Sequence, residues 1–213
     1  MPYEIIYKPL AYNNPVTIIS PVGGVAHDTE SPGDSDESEY AFFNGGNRSA
    51  SAHAFVDADS ITQCIPWNHK AWHAGPTANS NRIGIEMCYT TDPAKFQEIW
   101  KRTTWLWAWL FVNVIKQPLN SDTLMSHNDV SNKWHETDHT DPVGYFARFG
   151  KTMAEFRHDI QVQIDMMLVP QWKVEGAKYL LDEGYTTSLH NPLEVVDIGT
   201  LGKMLEQNKS VHQ

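Results

Sequence analysis

An apolar stretch from Ile83 to Tyr89 is followed, after two residues, by Asp92-Pro93 and a run that keeps one face apolar until Pro118. This coupling of a strand to a long helix constrains the fold more than any other feature. Along Ile83 to Tyr89 the residues alternate, so Ile83, Ile85 and Met87 share one face while Gly84, Glu86 and Cys88 share the other. Asp92 can cap a helix and Pro93 suits its first position. Phe96, Ile99, Trp100, Thr103, Trp107, Leu110, Phe111 and Val114 then recur at helical spacing. Such a stripe needs a partner layer, so Trp100 and Trp107 are predicted core residues.

Other segments repeat this interleaving. Val16 to Ile19 is predicted as a strand, and Gly23 to Ala26 leads an apolar stretch up to His27. Residues 28–39 (DTESPGDSDESE) read as a solvated acidic loop. Ala52 to Pro66 reads as two strands around a turn at Asp57 to Ser60. A helix is predicted over about 151–168, buried through Met153, Phe156, Ile160 and Ile164, and ended by Pro170. Two short amphipathic helices follow, the first carrying Trp172, Leu180 and Leu181, the second capped by Asp197. Strands interleaved with helices specify an α/β class. A boundary is placed near residue 165, leaving 166–213 as a small helical C-terminal extension.

Charge and cysteine use narrow the functions. A net charge of −10 repels phosphate backbones and anionic bilayers, so neither nucleic acid nor membrane is an expected partner. Cys64 and Cys88 form no CxxC pair and fit a reduced intracellular fold. No signal peptide or membrane span is legible, so the expected location is the cytoplasm.

With ten histidines, any one of them says little. The informative set lies at three places: His27, Glu86, and the segment His127 to Asp141. A catalytic zinc site takes three protein ligands and leaves one position open. His27, His127 and one of His139 or Asp141 supply that number. Pro142 biases Asp141 towards an extended backbone, in which residues two apart point the same way. His139 and Asp141 could therefore both face an ion, one binding and one acting beside it. Trp72 and His73 either line a substrate groove or pack. His53 is read as structural, His69, His135 and His158 as surface, and Cys88 as a small buried hydrophobe.

A series of short pieces then resembles the type-2 N-acetylmuramoyl-L-alanine amidases, the family of phage endolysins, bacterial autolysins and relatives of peptidoglycan recognition proteins. In order they are Gly24-Val25-Ala26-His27, Ser51 to Asp57 (SAHAFVD), Ile65-Pro66, Ala71-Trp72-His73-Ala74-Gly75, Ile83-Gly84-Ile85-Glu86, Ser126-His127-Asn128-Asp129, and Asp138-His139-Thr140-Asp141-Pro142. Tyr145 to Gly150 (YFARFG) is similar to the phage and autolysin branch. The resemblance covers roughly residues 16–162.

It implies a mixed central β-sheet flanked by helices, with 1–165 as a zinc amidase domain. It also implies Zn2+ on His27, His127 and Asp141, and Glu86 and His139 as catalytic residues. The implied substrate is bacterial peptidoglycan, cut between the lactyl group of N-acetylmuramic acid and L-alanine. The implied setting is a phage or prophage endolysin held in the host cytoplasm until release to the wall. Asp28 departs from the family, which often carries Asn or Ala after the first histidine. Residues 166–213 are expected either to bind cell wall or simply to pack. Two other readings stay open: a peptidoglycan-binding module without catalysis, and a metallopeptidase cutting elsewhere in the stem peptide.

Overall fold

A computed structural model describes residues 2–169. The chain divides into two compact units, Met1–Ile164 and Asp165–Gln213. The helices expected around Trp172 to Leu181 and from Asp197 lie outside the described residues.

The first unit is built on a six-stranded mixed sheet of order β1-β4-β3-β5-β2-β6. The strands are β1 (Ile6–Tyr7), β2 (Gly23–Asp28), β3 (Ala54–Val56), β4 (Ile61–Gln63), β5 (Arg82–Met87) and β6 (Leu124–Ser126). β3, β5, β2 and β6 run parallel, and β4 pairs antiparallel with β3 through the turn at Asp57 to Ser60. All six residues of β2 are buried, as expected for a parallel strand covered on both faces.

Two glycines show how closely those faces are covered. A Cβ on Gly24 would fall 2.1 Å from the Trp107 ring, and one on Gly84 would fall 2.5 Å from Cγ of His73. Because Gly24 pairs with Ile83 and Val25 with Gly84, the two glycines open on opposite faces. Trp107 therefore seats helix α3 (Pro93–Leu110) on one face, and His73 lies on the other.

Helix α3 begins as expected, with Asp92 accepting from the amides of Ala94 and Lys95. It passes into a π-helical turn, Phe111–Ile115, which ends at Lys116 in a left-handed conformation. Trp100 and Trp107 are buried. Trp100 packs edge-on against Phe146 of α5 (Val143–Arg148) and Phe156 of α6 (Met153–Leu168). Its indole N–H donates to Asp159 at 2.8 Å. The opposite face of the sheet carries α1 (Asp36–Asn44), α2 (Gly75–Asn79) and α4 (His127–Trp134), with Phe43 stacked on Phe55 and Val130 packed against Val25.

Two sequence expectations are corrected. Val16 to Ile19 is not a strand. Only Ile18 makes a bridge, to His69, while Val16 is exposed at a φ of 48°. Nor is 28–39 a loop throughout, because α1 starts at Asp36 with Ser35 and Ser38 capping each other. Asp36 itself is buried, accepting from Ser60 and Thr62 hydroxyls at 2.8 and 2.7 Å. A buried carboxylate with two donors is a structural anchor, so this stretch is not all solvated surface. Among the described residues no helix is long and apolar enough to cross a membrane.

Candidate active site

His27 and Glu86 stand side by side because β2 and β5 are parallel and in register at these positions. Both lie near the carboxyl ends of their strands, where open α/β sheets usually place a site. β6 ends at Ser126, whose hydroxyl accepts from the Asp129 amide while the Asp129 carboxylate accepts from the Ser126 amide. This reciprocal cap fixes the first turn of α4, and His127 is the first residue of that turn. Asp141 arrives on the loop before α5. Its carbonyl accepts from the Asn128 amide, which holds the loop against the start of α4.

These elements bring three of the predicted residues together. His27 Nδ1 lies 3.0 Å from Asp141 Oδ2, and His127 Nδ1 lies 3.0 Å from Asp141 Oδ1. One ligand atom from each of the three lies within 4.8 Å of the others, and all three side chains are buried. His139 stands beside this trio. Its ring stacks parallel on His127 with centroids 4.7 Å apart, and its Nδ1 is 3.7 Å from Asp141 Oδ1. It is 55% exposed, on the rim, whereas Asp141 is inside. Of the two candidates for a third ligand, the geometry thus groups Asp141 with the histidines.

Glu86 is partly buried and its Oε2 has no hydrogen-bond partner. Burial, and then the negative charges of Asp141 and Asp28, push its pKa well above the ordinary glutamate value. Asp28 is likewise raised to about 7, chiefly by burial. Burial also acts to raise Asp141, but the imidazoles of His127 and His27 against its oxygens outweigh it and hold Asp141 well below the usual carboxylate range. His27 is lowered by burial, partly opposed by Asp141. His73 is lowered well below the ordinary imidazole value by burial and by His27 and His53.

A cleft of about 250 Å3 opens over this group, walled by Asp28, Glu30, Glu39 and Phe43 on the α1 side. A second depression, of about 430 Å3, adjoins it and is lined by Ala74, Gly75, Asn79 and Thr137. Trp72, His73, His127 and His139 border both. Trp72 and His73 thus border these depressions, and the His73 ring also packs against Gly84. His53 is buried, accepting from the Gly84 amide and donating to the His69 carbonyl, which ties β3 and β5 to the loop after β4. His135 and His158 are exposed, but His69 is half-buried with Nδ1 unpaired. Cys88 is buried.

Sequence reasoning missed Thr137, whose hydroxyl lies 3.2 Å from His127 Nε2. The alternation argument used for His139 and Asp141 would have reached it one step earlier. It also missed Glu136, whose carboxylate accepts from the amide and hydroxyl of Thr77 at 2.7 and 2.6 Å. This contact straps the loop that carries His139 and Asp141 to α2.

A family model described as N-acetylmuramoyl-L-alanine amidase matches residues 20–144. The bifunctional autolysin of Staphylococcus epidermidis is 29% identical over 158 residues, covering 72% of this chain and 12% of that protein. The chain thus spans about an eighth of the length of the curated relative it matches. The crystal structure of Staphylococcus aureus hydrolase AmiA in complex with its ligand superposes with a TM-score of 0.68 at 22% identity, over 85% of each chain. A mutant endolysin from Bacillus subtilis gives a TM-score of 0.60 at 23% identity, over 74% of this chain and 99% of that one. These two likenesses are of fold.

Proposed function

The chain belongs to the N-acetylmuramoyl-L-alanine amidase family, and from that premise we propose that it is a zinc-dependent hydrolase of the lactyl–L-alanine amide in bacterial peptidoglycan. The observation that carries this reading is the convergence of His27, His127 and Asp141 on the floor of an open groove, with Glu86 one strand away.

The residues fit a divalent ion. Asp141 Oδ1 is buried and makes no hydrogen bond, although His127 Nδ1 is only 3.0 Å away. Atoms so close yet not bonded to each other are arranged like ligands sharing a centre. Two imidazoles and one carboxylate form a borderline N/O donor set that favours zinc over harder cations. Bound there, zinc would supply activation of water near neutral pH and polarisation of the scissile carbonyl.

The chain's own groups supply the rest. Glu86, which lines the groove and keeps a buried oxygen without a hydrogen-bond partner, takes the proton of the attacking water and returns one to the leaving alanine amine. His139 on the rim donates to the oxyanion that develops on the carbonyl oxygen, a contribution of about 3–4 kcal/mol for comparable donors. The capped α4 and the strapped loop hold these groups in register, so little reorganisation is needed during reaction. The cellular half of the proposal is a phage or prophage endolysin, kept in the host cytoplasm until it is released to the wall. Its support is the Tyr145 to Gly150 segment, similar to the phage and autolysin branch.

Digestion of purified walls tests the chemistry. Amidase action frees L-alanine amino termini and no new reducing sugar. New amino termini from any other residue would sink it in favour of a peptidase. Binding to walls without any release would leave a recognition module. The cellular half is tested by producing the chain inside bacteria, with lysis expected only once the membrane is breached.

A further inference from the structure

His139 sits on a stretch that reads His135-Glu136-Thr137-Asp138-His139-Thr140, with no apolar side chain to bury. Every residue of it is exposed except Thr137, which is half-buried. Such a segment depends on polar contacts for its order, and they recur along it. His135 ends α4 in a left-handed conformation, φ 56°, and turns the chain back beside the helix it has left. Ser131 of that helix grips both ends of the turn. Its carbonyl accepts from the His135 amide at 3.0 Å, and its hydroxyl donates to the His139 carbonyl at 2.7 Å. A helical serine often turns its hydroxyl to the carbonyl four residues back, whereas Ser131 bonds eight residues ahead. Between these ends the Thr137 hydroxyl accepts from the His139 amide at 3.4 Å. Glu136 reaches the other way, to the amide and hydroxyl of Thr77 in α2.

We propose that Ser131 and Glu136 are positioning residues that hold His139 in place on the rim of the groove. This rests on the amidase reading above and assigns the support of its exposed histidine. A donor to a developing oxyanion works by being in place before the charge appears. The His139 ring meets His127 face to face, with centroids 4.7 Å apart. Stacking sets the plane of a ring yet permits sliding within it, so the backbone anchors must set its reach. They pull in different directions, Ser131 towards α4 and Glu136 towards α2, and together fix a position that neither fixes alone. The approach to α2 is built in: Gly75 has a φ of +85°, and a Cβ there would lie 2.9 Å from Cβ of Glu136. Neither Ser131 nor Glu136 lines the two depressions, so each acts on the reaction through the loop. Asp141 has a tie of its own, the Asn128 amide donating to its carbonyl at 3.2 Å, so loosening His139 leaves the ligand trio seated.

The test has two arms, both on the full chain. A double-mutant cycle on wall fragments compares each substitution with and without His139. Ser131→Ala and Glu136→Ala should each lower kcat about 10-fold, since a displacement of about 1 Å can cost about 100-fold. KM and zinc content should not change. Ser131→Thr keeps the hydroxyl and Glu136→Gln keeps an acceptor, so both should recover most of the loss. In a His139→Ala background neither alanine substitution should cost anything further. Unchanged kcat in either single variant overturns the proposal for that residue, as does a loss carried by KM or by zinc content. An equal fold loss in both backgrounds overturns it too, because the residue would then act on the fold rather than through His139. The second arm reads backbone order by nitrogen relaxation NMR. The His139 amide should have an order parameter of about 0.85 in the wild type and below about 0.6 in Ser131→Ala/Glu136→Ala. Unchanged order overturns the proposal. A wild type without amidase activity, or a His139→Ala variant as active as wild type, would overturn the catalytic reading instead, and the relaxation arm would still decide whether these residues hold His139.

Discussion

Glu86 shows how a single residue can be legible in role and still need the structure for its reason. Alternation along β5 points it away from Ile83, Ile85 and Met87, and the resemblance names it catalytic. Only the packing shows that one of its oxygens is buried and unpaired and that its acidity is weakened by burial and by Asp141 and Asp28. Replacing it should remove proton transfer and leave the metal ligands in place. Glu86→Gln is therefore expected to lower kcat on wall fragments by about 100- to 10,000-fold, with zinc stoichiometry unchanged. Loss of both together would mean that Glu86 holds the ion rather than the proton. His139 makes the complementary case. It is 55% exposed and stacked on His127, so His139→Ala should cut kcat by about 100- to 1,000-fold. Its melting temperature should stay close to wild type, because an exposed ring contributes little to stability. Calorimetry beside the kinetic assay checks both halves.

At the scale of elements, the sequence was clearest where periodicity is long. Helix α3 follows its apolar stripe, and the β3–β4 hairpin follows its turn residues. It was opaque where a short element has few apolar residues or depends on a distant partner. Helix α1 was hidden inside an acidic run because its apolar residues come late, at Tyr40, Phe42 and Phe43. Its Ser35 cap was the available signal. Val16 to Ile19 looked like a strand from composition, but composition cannot supply the neighbouring strand that the segment lacks. The same helix carries a testable charge effect. Burial, and Asp34 beside it, push Glu39 up to about 8 from an ordinary value of 4.5. The folded state therefore holds this proton more tightly than the unfolded state does. Its contribution is fully present below pH 4.5 and lost as pH rises through about 8. Glu39→Gln should accordingly flatten the fall in melting temperature between pH 5 and 8, and raise it relative to wild type only at the upper end. Parallel curves for the two proteins would refute this. Gly24 gives a steric counterpart. A methyl group there meets Trp107 at 2.1 Å, so Gly24→Ala should destabilise the fold by about 1–3 kcal/mol, read from urea unfolding.

Across the whole molecule, the site is where distant parts of the chain are joined. His27 comes from β2, Glu86 from β5, His127 from α4 and Asp141 from the loop beyond it. Their order along the chain was readable, through a resemblance spread over many short pieces. Their convergence was implied by that resemblance alone, because nothing local in the sequence states that β2 lies between β5 and β6. Without an ion, this junction gathers Asp28, Glu30, Glu39, Glu86 and Asp141 around one cleft, in a chain whose net charge is −10. A bound cation should relieve that crowding and lock three elements together, so it should stabilise the fold as well as enable the reaction. Zinc at one hundred times its dissociation constant adds about 2.7 kcal/mol if the unfolded chain does not bind it. For a domain of this size that is worth a rise of about 5–11 °C in melting temperature. Chelator should reverse the rise, Asp141→Asn should abolish most of it, and magnesium at the same concentration should not reproduce it, because imidazole ligands suit it poorly. A melting temperature indifferent to zinc would separate these three side chains from any ion, and with it remove the ground for hydrolysis at this groove.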